Sequence, residues 1–102
     1  MKSKRSKACD IPHKVKEAVW ERDLHRCILC GNPEAMPNAH YIPRSKGGLG
    51  TKPNVVTLCP DCHRRLDQTS ERPNLLIAVG HYLEIKHPNF QDKDRVYNKW
   101  KD

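Results

Sequence analysis

Two Cys-x-x-Cys pairs constrain this chain more than any other feature. They are Cys27/Cys30 and Cys59/Cys62, with residues 31–58 between them. A Cys-x-x-Cys turn presents two thiolates to one ion, and two such turns complete a closed tetrahedral zinc shell. The fold must therefore return on itself between residue 30 and residue 59. His40, Asn54 and His63 lie between and beside the pairs, so the same scaffold gathers them on one face. A metal staple suits the bulk properties. The chain has 102 residues, enough for one domain, and a domain this size buries only roughly 60–70% of its unfolded surface. Its hydrophobic content is 36% and its mean hydropathy is −0.86, which is low for a self-sufficient core. Zinc supplies on the order of 10 kcal/mol of folding free energy in domains of this kind. With four cysteine ligands the zinc is structural and does not touch substrate. Cys9, the fifth cysteine, is read as a free thiol with no role.

The rival reading of the cysteines is a disulfide framework. The N-terminal Lys2-Ser3-Lys4-Arg5-Ser6-Lys7 is basic and no apolar stretch follows it, so it does not read as a secretory leader. No run reaches membrane-spanning length. Paired cysteines without a leader point to metal in a reducing compartment, hence a cytoplasmic protein. A redox role is disfavoured because such motifs come singly in a thioredoxin-like setting. The formal net charge is +7 and the pI about 9.3. That balance favours a polyanionic partner, most simply nucleic acid, over surplus lysines that only solvate the surface.

Along the chain, residues 1–9 read as a disordered basic arm and residues 10–102 as a single domain. Asp10-Ile11-Pro12 opens a helix with an acidic N-cap, and Val15, Ala18 and Val19 repeat at helical spacing to about Asp23. Cys27 to Gly31 is a knuckle with glycine at its tight turn. Ala39–Ile42 and Asn54–Leu58 read as strands of a hairpin, joined by a long flexible connection containing Gly47, Gly48 and Gly50. Cys59 to His63 is the second knuckle, and its helix runs to about Asp67. Pro73 opens a further helix with Leu75, Leu76, Val79, Tyr82 and Leu83 on one face, and Pro88 ends it. Val96, Tyr97 and Trp100 suggest a last short helix packing back.

Ala39-His40-Tyr41-Ile42-Pro43-Arg44-Ser45-Lys46-Gly47-Gly48 resembles the opening of the HNH endonuclease motif. Asn54-Val55-Val56-Thr57-Leu58-Cys59-Pro60-Asp61-Cys62-His63 resembles its close. His40, Asn54 and His63 match the three residues that name the family, and the cysteine pairs match its zinc-bound branch. The Gly-Gly-Leu-Gly loop and the segment from Tyr82 to Trp100 are similar to small phage and prophage members. The resemblance implies a small zinc-stabilised α+β fold with a ββα-metal (His-Me finger) core at about 37–69 and C-terminal helices at about 71–100. It implies a metal-dependent endonuclease that nicks or cuts duplex DNA by hydrolysing phosphodiester bonds, and because no element reads as a dedicated base reader, low sequence specificity is expected. His40 would be the general base, for which a near-neutral imidazole is suited. His63 would hold a catalytic divalent ion (Mg²⁺, Mn²⁺ or Ni²⁺), and Asn54 would orient His40 through backbone bonds. The phage-like features imply terminase or portal proteins as partners in DNA packaging.

The chain departs from the family at Ala39, where many members carry a second metal ligand. Asp67 lies four residues after His63 on the same helical face and is the candidate replacement. Arg44 and Lys46 flank the glycine loop, and Arg64 and Arg65 follow His63. These four are the candidate phosphate contacts. The alternative is a non-catalytic zinc module that binds DNA or a protein partner. Ala39 favours it; the joint presence of His40, Asn54 and His63 speaks against it.

Overall fold

Val55-Val56-Thr57-Leu58, β-branched at its first three positions and buried at all four, forms the more deeply buried strand of a two-stranded sheet. The computed structural model describes residues 3–98. Helix α1 spans Lys4–Cys9 and α2 spans His13–Arg22. Strands β1 (Met36–His40) and β2 (Val55–Leu58) follow, then α3 (Pro60–Gln68) and α4 (Arg72–Lys86). Three short 3-10 turns, Arg44–Lys46, Lys52–Asn54 and Asp92–Arg95, punctuate the loops.

The two strands pair antiparallel, with Ala39 opposite Val56 and His40 opposite Val55. Between Met36 and Ala39 the register slips, so β1 carries one residue more than its partner there. Such a bulge re-aims the side chains beside it. The core gathers Ala39, Val56, Leu58 and Leu66 with Val79 and Leu83 of α4, and three of the knuckle cysteines belong to the same cluster. Side chains alternate across a strand, so Ala39 faces this core while His40 turns to the other side.

Several expectations need correction. Residues Lys4–Cys9 form a helix where a disordered arm was expected, with Ser3 as N-cap. Cys9 is buried at its end, and Asp10 bonds back to the helix carbonyls of Lys7 and Ser6. Local polarity hid this helix, because its order comes from docking on the loop at residues 44–50. The docking is close: a Cβ on Gly50 would lie 1.9 Å from the Asp10 carbonyl oxygen. Asp10 does not cap α2, whose N-cap is Pro12 without a side-chain bond. Asp10 pairs instead with Arg44 at 2.9 Å. The first strand begins earlier than expected and ends at His40. The connection between the strands is not loose, because short turns and backbone bonds fix it. The last helix is absent among the described residues: a turn at Asp92–Arg95 leads into extended chain, and Val96 bridges Gly48. Trp100 lies outside the described residues.

One polar cluster locks α2 to the sheet and to α4. The Asp23 carboxylate, fully buried, accepts from the Thr57 backbone N–H (2.8 Å), the Tyr82 hydroxyl (2.6 Å) and the Arg22 guanidinium (2.7 Å). Arg22 also donates to the carbonyls of Lys52 and Val55. Burial and the Asp23 carboxylate push the Tyr82 hydroxyl up to about 12, so it remains the donor of its bond at neutral pH. Removing one partner of a buried charge pair strands the other. Asp23→Ala is therefore expected to cost about 3–5 kcal/mol, read as a lower denaturation midpoint, with Tyr82→Phe costing far less. Equal midpoints for Asp23→Ala and the parent would refute this role.

Candidate active site

The four knuckle sulfurs converge as the spacing requires. Gly31, at φ +79°, closes the first turn, and the Gly31 N–H returns to the Cys27 carbonyl. Pro60 and Cys59 open α3, where Cys59 Sγ accepts from the Cys62 N–H at 3.4 Å. The four Sγ atoms lie within 4.8 Å of one another, and Cys30 and Cys59 are 3.6 Å apart. Zn–S bonds of about 2.3 Å in a tetrahedron put sulfurs about 3.8 Å apart, so the cluster could hold zinc. Its electrostatics fit a cation too. Burial opposes ionisation at Cys27, but backbone bonds at Cys59, Cys30 and Leu29 outweigh it and bring the thiol down to about 7. Burial and the neighbouring sulfurs push Cys62 up. A shared divalent cation would ionise the thiols that coordinate it.

A second centre lies beyond the sheet. β1 ends at His40 and α3 begins three residues before His63, so the strand end and the helix's first turns meet. They line a cleft of about 310 Å³ with Asn38, Pro43, Arg44, Ser45 and Asp67. His63 Nε2 lies 3.2 Å from Asp67 Oδ2, as expected for positions four apart on a helix. His40 Nε2 lies 2.8 Å from the backbone carbonyl of Cys9. A carbonyl only accepts, so Nε2 carries the proton and Nδ1 keeps the lone pair. Burial lowers the His40 pKa from its ordinary value. The neighbouring Arg44 and His63 lower it further, and the Cys9 bond and Asp10 only partly offset them. His40 is thus neutral at pH 7.

Asn54 is fully buried and bonds backbone on three sides. Its Oδ1 accepts from the Ile42 N–H (2.9 Å), and its Nδ2 donates to the Ile42 and Leu49 carbonyls (3.1 and 2.9 Å). The loop passes so close that a Cβ on Gly48 would lie 1.6 Å from the Ile42 oxygen. Asn54 holds the chain immediately after His40 and does not line the cleft. Asn54→Ala leaves one N–H and two carbonyls without partners, which should cost about 3 kcal/mol. Urea denaturation checks this, and a cost below about 1 kcal/mol would count against it.

The four candidate phosphate contacts separate. Arg44 lines the cleft, paired with Asp10. Lys46 is exposed on the glycine loop, away from the cleft lining. Arg64 pairs with Asp61 at 3.1 Å, and Arg65 is held by both oxygens of Glu71 at 2.8 and 2.6 Å. Arg65 is therefore engaged within the protein. Sequence reasoning missed the Cys9 carbonyl, because a backbone acceptor leaves no mark on residue type, and it missed Asn38. A larger cleft of about 510 Å³ beside α4, lined by Tyr41, His81 and Phe90 among others, contains none of His40, Asn54 and His63.

A four-cysteine cluster beneath a two-stranded sheet and helix, with two histidines meeting on the far side, defines a small metal-site α+β protein of the ββα type. Comparison with known proteins agrees. Residues 27–74 match the model of a family described as HNH endonuclease. The chain is 34% identical over 53 residues to anaredoxin of Nostoc sp., covering 51% of this chain and 70% of that protein. It is 44% identical over 46 residues to the type IV methyl-directed restriction enzyme EcoKMcrA of Escherichia coli K12. That match covers 45% of this chain but only 16% of the restriction enzyme. The chain belongs to the HNH endonuclease family.

Proposed function

We propose that this protein is a metal-dependent DNA endonuclease that hydrolyses phosphodiester bonds, with His40 as general base. The observation that carries the proposal is the 2.8 Å bond from His40 Nε2 to the Cys9 carbonyl, in a ring that shares a cleft with His63, Asp67 and Arg44. That bond fixes the tautomer whose Nδ1 takes a proton from an attacking water. Asn54 holds the strand end, so the imidazole is oriented before substrate arrives. Arg44 anchors a phosphate oxygen at the cleft, exchanging its partner Asp10 for a bidentate phosphate contact. His63 and Asp67 offer the nitrogen and oxygen donors that a divalent ion takes, and the orphaned oxygen of Asn38 beside them fits the same donor set. Such an ion, when bound, stabilises negative charge on the phosphate and on the leaving oxygen. The basic balance of +7 supports a nucleic-acid substrate.

The test is relaxation of supercoiled plasmid by purified protein with Mg²⁺, Mn²⁺ or Ni²⁺, beside His63→Ala. Nicking by the parent that the variant lacks, at equal zinc content, is the expected result. No cleavage with any ion, despite bound zinc and DNA affinity, would leave the second reading, a DNA- or protein-binding zinc module. That reading is favoured by Ala39, which sits in the core and offers no ligand. The Nostoc relative carries a redox name; thiol counts that rise only when a chelator removes the metal would set that chemistry aside here. A partnership with terminase or portal proteins rests on family resemblance alone, and it fails if purified terminase neither binds the protein nor alters its cleavage.

A further inference from the structure

Among the described residues, two buried side-chain oxygens have no hydrogen-bond partner, Asn38 Oδ1 and Thr57 Oγ1. Unpaired buried acceptors are uncommon and each calls for a reason. Thr57 is a hydroxyl inside β2 that does not line the cleft, and its rotor both donates and accepts. Asn38 differs in both respects. Its amide oxygen only accepts, and the residue lines the same cleft as His40, His63 and Asp67.

Its position follows from the strand. Asn38 lies two residues before His40 and so shares its side of β1, whereas Ala39 between them is turned into the core. It also lies within the register slip between Met36 and Ala39, where an extra residue re-aims side chains. The chain thus offers no donor at position 39 but brings an amide carbonyl to the cleft from the neighbouring position. A neutral oxygen beside an imidazole and a carboxylate is a donor set for a hard or borderline divalent cation. A phosphate would need a donor at that point, and Oδ1 is not one. Half a turn of the amide exchanges its oxygen and nitrogen, and the terminal torsion is soft enough to allow it.

We propose that Asn38, through Oδ1, is a ligand of the divalent ion held by His63 and Asp67, standing in for the donor that Ala39 does not supply. The inference rests on the functional reading above, since it assigns a further ligand to the same centre. The arrangement is a neutral oxygen, an imidazole and one carboxylate, which leaves the remaining coordination positions to water and substrate phosphate.

The test uses the zinc-loaded protein and Mn²⁺ as probe, followed by the loss of free-ion electron paramagnetic resonance signal. Mn²⁺ stands below zinc in affinity for such ligands and does not displace it from thiolates. The parent should bind one Mn²⁺. Asn38→Leu, similar in size and lacking the oxygen, should bind about 10-fold or more weakly, in line with the loss on removing a group that supports a metal site. Asn38→Asp should bind more tightly than the parent, because it adds a charge where the amide oxygen stood. Zinc content and melting temperature without Mn²⁺ report folding. If Asn38→Leu does not fold, the tightening by Asn38→Asp decides alone. Parent binding that neither variant changes overturns the role of Asn38 and leaves the His63 centre standing. A parent that takes up no Mn²⁺ overturns both.

Discussion

Replacing His40 with alanine will lower plasmid nicking by about 10²–10⁴-fold, the usual contribution of a positioned general base, with zinc content unchanged. The size follows from what the side chain does alone. Nothing else in the cleft pairs an unprotonated nitrogen with a fixed orientation: His63 faces Asp67, and Arg44 is cationic. The pH profile makes the prediction sharper. Burial, with Arg44 and His63 adding to it, holds the His40 pKa below its ordinary 6.5. A base acts when deprotonated, so the rise in kcat/KM with pH should be centred below about pH 6.5. A rising limb centred above pH 7 would assign the base to another group. The same depression has a stability sign. The unfolded chain takes up this proton more readily than the folded one, so acidification below about 6.5 weakens folding through His40. His40→Ala should remove that part of the acid sensitivity.

Removing the metal from the four-cysteine cluster will unfold the protein. The expected loss, on the order of 10 kcal/mol, matches the whole stability of a small domain, typically 5–15 kcal/mol. Cys27, Cys59 and Cys62 sit within the core cluster itself, with Leu58, Leu66 and Val79 packed around them. The metal site is therefore the centre of the fold. A strong chelator should abolish the helical circular dichroism and release one zinc per chain, and Cys59→Ser should do the same without chelator. Cys59 is the informative choice because its sulfur also caps α3, the helix that carries His63. Cys9→Ser is the control, since Cys9 is buried but stands outside the cluster. A chelated protein that keeps its helices and melts cooperatively would refute the structural role.

The metal scaffold was legible because its chemistry is local. Cys-x-x-Cys fixes a turn, and two such turns leave the chain little choice but to bring residues 30 and 59 together. Strand β2 was legible as a run of three β-branched residues closed by a leucine. The pairing of His63 with Asp67 followed from helical spacing alone. The N-terminal helix was not legible: Lys4-Arg5-Ser6-Lys7 has no apolar face, and its order depends on contacts with Arg44, Ser45 and Gly50, some forty residues away. The last turn went the other way. Val96 and Tyr97 looked helical, but Val96 bridges Gly48 and the Tyr97 N–H bonds the Gly47 carbonyl, so the segment is extended. Long-range backbone partners overrode local propensity in both places.

The sequence by itself determined the closed four-sulfur cluster, the hairpin and helix between and after the pairs, and the identity of the two histidines. Spacing and residue type are sufficient for these, because ligand geometry and side-chain periodicity are properties of short segments. Only the tertiary structure decided how those histidines are held. The Cys9 carbonyl that fixes the His40 tautomer comes from a helix more than thirty residues away, and it is backbone, so no residue type announces it. The bulge in β1 that brings Asn38 to the cleft depends equally on how β1 meets β2. Orientation and tautomer are set by distant partners, and a sequence carries those partners only once the chain has folded.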